Sequence, residues 1–161
     1  MLLRLETVTD GGLALPDVDY ALLSRALGAF AENHAPGGCR EMSAALSFVP
    51  PKRIRELNAR YRSLDEETDV LSFPLWETSG AFSPPDGWED LPLGDIVVSP
   101  EYVFNSAKER KIDYNDEIVL MIIHGTLHLL GFDHDSTERE LKMWSAQDAL
   151  LNEYLGQKGR E

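Results

Sequence analysis

The chain is 161 residues long, 43% hydrophobic and 27% charged, and its 28 acidic against 15 basic side chains leave a net charge of −13. Those proportions suit a single globular domain over residues 1–161 and exclude collagenous, low-complexity and disulfide-scaffold classes. The longest apolar run, Ile118 to Ile123, is far short of the ~20 residues a membrane-spanning helix needs, the charged N-terminus lacks signal-peptide features, and Cys39 stands alone, so a cytoplasmic protein with no membrane partner is expected. Leu3, Leu5 and Val8 alternate with Arg4 and Glu6, the period of a strand with one buried face. After turn signals at Asp10-Gly11-Gly12 and Pro16-Asp17, the residues Val18, Leu22, Leu23, Ala26, Leu27 and Phe30 recur at helical spacing until Pro36-Gly37-Gly38. Ala44 to Val49 reads as a second strand, and Pro50-Pro51 opens a helix that runs to about Tyr61. Thr68 to Phe73, closed by Pro74, is a third strand.

Residues 75–92 contain Pro84-Pro85, Gly80, Gly87 and the acids Glu77, Asp86, Glu89 and Asp90 without periodicity, and they read as a long irregular connection of the functional or mobile kind. A fourth strand over Leu93 to Ser99 follows, then a short helix from Pro100 to about Arg110. A helix over Asp113 to Leu130 is apolar nearly all round and belongs in the interior. The last helix starts at Ser136 and ends near Leu155, with Leu141, Trp144, Ala149 and Leu150 as its expected inner face. This mixed order of strands and helices predicts an α+β domain.

The acidic total disfavours non-specific nucleic-acid binding, yet phosphate contacts are local and are screened beyond roughly 8 Å at physiological salt. Between positions 52 and 62, Lys52, Arg53, Arg55, Arg60 and Arg62 face only Glu56. A weaker group, Lys108, Arg110 and Lys111, surrounds Glu109. Each group is either a phosphate-binding face or a solvated helix face.

Three of the four histidines fall in the segment from His124 to His134. On a helix His124 and His128 are i and i+4, with Cβ atoms ~5–6 Å apart, within reach of one metal ion. Gly131 can take the left-handed conformation that ends a helix and returns His134 towards the first two. The spacing H-x-x-x-H-x-x-G-x-x-H builds the three-histidine zinc site of metzincin peptidases, with three nitrogens at ~2.0–2.1 Å and an open fourth position. A shared metal also satisfies imidazoles that would otherwise each need a partner on an apolar helix. His34 has no ligand-like spacing around it and reads as a surface or capping residue; Cys39 is given no role.

Where a zinc peptidase places a Glu general base after its first histidine, this chain has Gly125. Losing that proton transfer costs typically ~10²–10⁴ in rate, so peptide hydrolysis is disfavoured. Three neutral ligands leave a full +2 charge, which suits an anionic phosphodiester.

The residues resemble the YbeY family of bacterial metal-dependent endoribonucleases. The resemblance rests on His124 to His134, on Leu57-Asn58-Ala59-Arg60-Tyr61-Arg62 leading to Asp65 and Thr68 to Pro74, and on Leu93-Gly94-Asp95-Ile96-Val97-Val98. It implies an α+β domain whose mixed sheet of about four strands packs with helices, one of them a central metal-bearing helix. It implies one zinc ion, or another divalent transition metal, on His124, His128 and His134, with Arg62 as the catalytic arginine. It also implies cleavage of single-stranded RNA in 3′-end maturation of small-subunit ribosomal RNA and in ribosome quality control. The implied partners are ribosomal RNA and ribosomes or assembly intermediates, with a ribosomal protein or an assembly GTPase as further candidates.

Independently of the resemblance, Arg62 offers a fixed fork of donors suited to phosphate oxygens, the alternative being an ion pair with Asp65 or Glu66. Asp133 is placed to orient an imidazole, while Asp69 and Asp95, on apolar strands, are expected to pair with a backbone donor or an arginine. The rival readings are a metal-stabilised, non-catalytic ribosome-assembly factor and a peptidase-like zinc hydrolase without the usual Glu. A fourth protein ligand would mark a structural site; an open position marks a catalytic one.

Overall fold

The computed structural model describes residues 1–160. Four strands form one mixed sheet in the order β1-β2-β6-β3: β1 (Leu2–Thr9), β2 (Glu41–Phe48), β6 (Asp90–Val98) and β3 (Val70–Pro74). β1, β2 and β6 run parallel and β3 is the antiparallel edge, so the domain is α+β with a mixed sheet. The helices are α1 (Tyr20–Ala31), α2 (Pro51–Arg62), α3 (Pro100–Arg110), α4 (Tyr114–Leu129) and α5 (Thr137–Lys158). Among the described residues, no helix is long and apolar enough to cross a membrane.

Alternation along the strands sends two different sets of side chains to the two faces of the sheet. Leu3, Met42, Ala44, Leu46, Phe48, Leu93, Ile96 and Val98 join the main core with Leu22, Leu23 and Leu27 of α1, Ile118, Ile122, Ile123 and Leu127 of α4, and Met143, Leu150 and Tyr154 of α5. On the other face, Val49, Leu71 and Val97 meet Ile54 of α2, with Leu57 and Phe73 at the margin of this smaller cluster. The sheet therefore lies between α4 and α2, and at its β3 edge residues of both helices line one cleft, which carries the site.

Helix boundaries follow local chemistry. The Asp19, Asp113 and Ser136 side chains accept backbone N–H groups at the starts of α1, α4 and α5, and Pro51 and Pro100 occupy first positions where no N–H is needed.

Two expectations are corrected. Residues 75–92 are not wholly irregular: β4 (Glu77–Thr78) and β5 (Ala81–Phe82) make a small hairpin, and β6 already begins at Asp90. Two-residue strands are too short to show a period, which is why the sequence hides them. Trp76 is anchored beside this hairpin, its indole N–H donating to the Pro92 carbonyl at 2.6 Å and its ring meeting Trp88 edge-on. In α5 the inward residues are Met143, Leu150 and Tyr154, whereas Leu141 and Trp144 are exposed at 59% and 50% and Ala149 also faces out.

Candidate metal centre

His124 and His128 lie one turn apart on α4, and their Nε2 atoms are 3.0 Å from each other. Nitrogens sharing a tetrahedral zinc at ~2.0–2.1 Å are separated by roughly 3.3 Å, so this pair already stands near ligand spacing. The third histidine is delivered by the helix terminus. Gly131, at φ +90°, donates its N–H to the His128 carbonyl at 3.1 Å, and Phe132 donates to the Leu127 carbonyl at 3.0 Å. These are the two bonds of a Schellman end, which reverses the chain immediately after the second histidine. His134 thereby returns, and one ligand-type nitrogen from each of the three imidazoles lies within 4.8 Å of the others.

The protonation states suit ligation. Gln147 of α5 turns its amide oxygen to His124 Nδ1 at 2.5 Å; an acceptor there keeps the proton on Nδ1 and leaves the Nε2 lone pair facing the cluster. Burial, reinforced by the charge His124 would carry, pushes the His128 pKa down to about 4, so its imidazole is neutral and ready to bind. Asp133 does not orient an imidazole: its Oδ1 accepts the backbone N–H of His134 at 2.7 Å and so shapes the loop instead. Among the described residues, no Cys, Asp or Glu completes the group of three. The donor set can hold a divalent metal ion and keeps a coordination position free.

The histidines open into a cavity of about 510 Å³ that is also lined by Asn58, Arg62, Glu66, Asp69, Glu77, Asp133 and Arg139. Arg62, at the last position of α2, does not pair with Asp65 or Glu66; its Nη2 donates to the Ser72 carbonyl at 2.7 Å. Asp65 is taken by Arg55 at 2.9 Å. Of the basic run only Arg62 lines this cleft, because Arg53 turns to a second cavity with Tyr61 and Phe73, and Lys52, Arg55 and Arg60 line a groove on the far side of α2. Gly125 faces the sheet: a Cβ there would come within 2.6 Å of Ile96 Cγ2, so a side chain at the peptidase general-base position would have to displace Ile96 and would point into the core.

The profile of a family described as "Endoribonuclease YbeY" matches residues 20–155. The chain belongs to the YbeY endoribonuclease family. Members of that family hydrolyse RNA phosphodiester bonds. A YbeY protein of Caldicellulosiruptor saccharolyticus is 44% identical over 110 residues, which are 66% of this chain and 70% of that protein. The human YbeY protein is 38% identical over 118 residues, covering 72% of this chain and 70% of its own. A Corynebacterium efficiens relative is 37% identical over 71% of this chain, and the match spans 58% of that protein's length. A solution structure of a Thermotoga maritima protein superposes with a TM-score of 0.60 at 26% identity, covering 99% of this chain and 93% of that one.

Seen as a YbeY domain, the molecule brings His124, His128, His134 and Arg62 to one cleft but sends Asp95 elsewhere. Asp95 is exposed on the opposite sheet face and lines the second cavity. Asp69 does pair with a backbone donor, accepting the Val70 N–H at 2.7 Å as well as the Thr68 hydroxyl. His34 is a surface residue whose ring lies 5.3 Å from Phe30 and 5.6 Å from Phe132. Gln147 and Arg139 were not singled out by sequence reading. Both belong to α5, outside the histidine motif, and only long-range packing gives them their neighbours.

Proposed function

We propose that this chain is a zinc-dependent endoribonuclease that cuts single-stranded segments of ribosomal RNA in the cytoplasm. Its substrate would be the 3′ end of small-subunit RNA within ribosome assembly intermediates. The observation that carries this reading is the convergence of three imidazoles and one arginine on a single open cleft. Zinc on His124, His128 and His134 would supply Lewis-acid stabilisation at a phosphodiester oxygen; imidazole ligands also accept copper or nickel. Arg62 is restrained by the Ser72 carbonyl through one terminal nitrogen, which leaves the rest of its donor fork for non-bridging phosphate oxygens as their charge rises.

Electrostatics makes RNA entry conditional. Glu66, Asp69, Glu77 and Asp133 line the cleft against Arg62 and Arg139 as its cations, so without a metal the lining repels a phosphodiester. The cavity has the volume of a small-ligand site, which admits a splayed nucleotide and not a stacked duplex.

The test is binding and cleavage of matched single-stranded and duplex RNA by zinc-loaded and chelated protein. The expected result is cleavage of the single strand by the loaded form alone, with weaker binding after chelation. Tight RNA binding by the loaded protein without any cleavage would favour the non-catalytic assembly factor.

A further inference from the structure

The three histidines are not equally held. His124 and His128 are fixed by α4, whereas His134 is exposed on the short segment between Gly131 and the start of α5. Ordering that segment costs conformational entropy, so whatever ties it down strengthens the third ligand.

Arg139, in the first turns of α5, ties it at both ends. Its Nη1 reaches Asp135 Oδ2 at 2.9 Å and Oδ1 at 3.1 Å, and its Nη2 donates to the Gly131 carbonyl at 3.0 Å. The same Nη2 donates to the Gly80 carbonyl at 2.8 Å, in the turn of the β4–β5 hairpin. The hairpin also rests on the ligand loop directly, because a Cβ at Gly131 would come within 2.8 Å of Phe82 N and 2.9 Å of Phe82 Cβ. Glu77 of the hairpin, Gly131, His134 and Arg139 all line the cleft. One guanidinium thus joins the loop that carries the third histidine to the hairpin that walls the substrate space. A planar fork places its donors on separate nitrogens, so Nη1 serves Asp135 while Nη2 serves the Gly80 and Gly131 carbonyls, a spread that one ammonium nitrogen lacks.

We infer that Arg139 is a positioning residue that couples metal occupancy to placement of the β4–β5 hairpin. The inference rests on reading the histidine cluster as a metal site. Holding Gly131 and Asp135 presents His134 at ligand distance, and holding Gly80 makes the hairpin follow. Linkage makes the effect reciprocal: if the seated hairpin favours the metal, the metal protects the hairpin by the same factor.

The experiment compares the parental chain with Arg139→Ala, Arg139→Lys and Asp135→Asn. Zinc affinity is read by competition with a chromogenic chelator, and amide hydrogen exchange of residues 77–82 is read with and without zinc. Arg139→Ala should weaken zinc binding by about tenfold or more, the scale of outer contacts that orient metal ligands. It should also speed hairpin exchange in the metal-free protein and abolish the protection that zinc confers there. Arg139→Lys, whose single ammonium cannot span the three acceptors, should recover only part of both. Asp135→Asn, which loosens the loop side alone, should weaken zinc binding and leave metal-free hairpin exchange at the parental rate; this variant carries the test if Arg139→Ala does not fold. Parental zinc affinity in Arg139→Ala, with or without faster exchange, overturns the coupling while the metal reading stands. A parental chain that binds no zinc overturns both.

Discussion

The guanidinium of Arg62 donates to the backbone carbonyl of Ser72 at 2.7 Å, bridging the end of α2 to the β3 edge strand. Ser72 in turn directs its hydroxyl to the Gly125 carbonyl of α4 at 3.4 Å, so one residue of β3 relates the arginine to the histidine helix. Removing a donor aimed at transition-state charge costs ~10²–10³ in turnover. Arg62→Ala should therefore slow single-turnover RNA cleavage on that scale while zinc content and melting temperature stay near parental. Arg62→Lys keeps the charge without the fork and should restore binding more than turnover. A parental rate in Arg62→Ala removes the role.

Gln147 fixes the His124 tautomer from a different helix. Gln147→Ala should lower zinc affinity by about 10–100-fold, as loss of such partners does elsewhere, and Gln147→Glu should retain affinity because a carboxylate accepts the same Nδ1 proton. Chelator competition distinguishes the two; equal affinities for Gln147→Ala and the parent would show that the contact does not orient the ligand.

Gly125→Ala should destabilise the fold by about 1–3 kcal/mol, since its Cβ would enter Ile96 at 2.6 Å. The clash predicts coupling, so adding Ile96→Ala should cost less than the sum of the single changes. Urea titrations of the four proteins of the cycle measure this, and strict additivity would contradict the close approach.

Arg110 holds Glu117, a carboxylate only 5% exposed, through Nη2 at 2.7 Å. Arg110→Ala leaves that charge without its partner and should cost about 1–3 kcal/mol. Glu117→Gln in the Arg110→Ala background should recover part of the loss, because a neutral amide is cheaper to bury. No loss in Arg110→Ala would mean that solvent screens the pair fully.

The histidine site was legible because its geometry is local: a helical i, i+4 pair and a glycine terminus place the rings, and all of it lies between His124 and His134. Arg62 was legible by type, though its Ser72 anchor was not. The second half of the site depends on phase and on long-range packing. Leu141 and Trp144 offer an apolar stripe as plausible as that of Met143, Leu150 and Tyr154, and only the position of α5 against α1 and α4 decides which turns inward. The same phase brings Gln147 to His124 and Arg139 to Gly131. Clustering in sequence likewise does not say which of the basic run reach the cleft: a helix spreads Arg53, Arg55 and Arg62 around its axis, and of these Arg62 lines the metal cleft.

The most direct measurement is a back-titration of zinc into metal-free protein, with bound metal and single-stranded RNA cleavage followed in the same samples. Cleavage should rise in proportion to bound zinc and plateau at one equivalent per chain, and the His124→Ala/His128→Ala variant should gain neither. Full cleavage by the chelated protein, or cleavage by the double variant at the parental rate, would contradict a reaction centred on the three histidines.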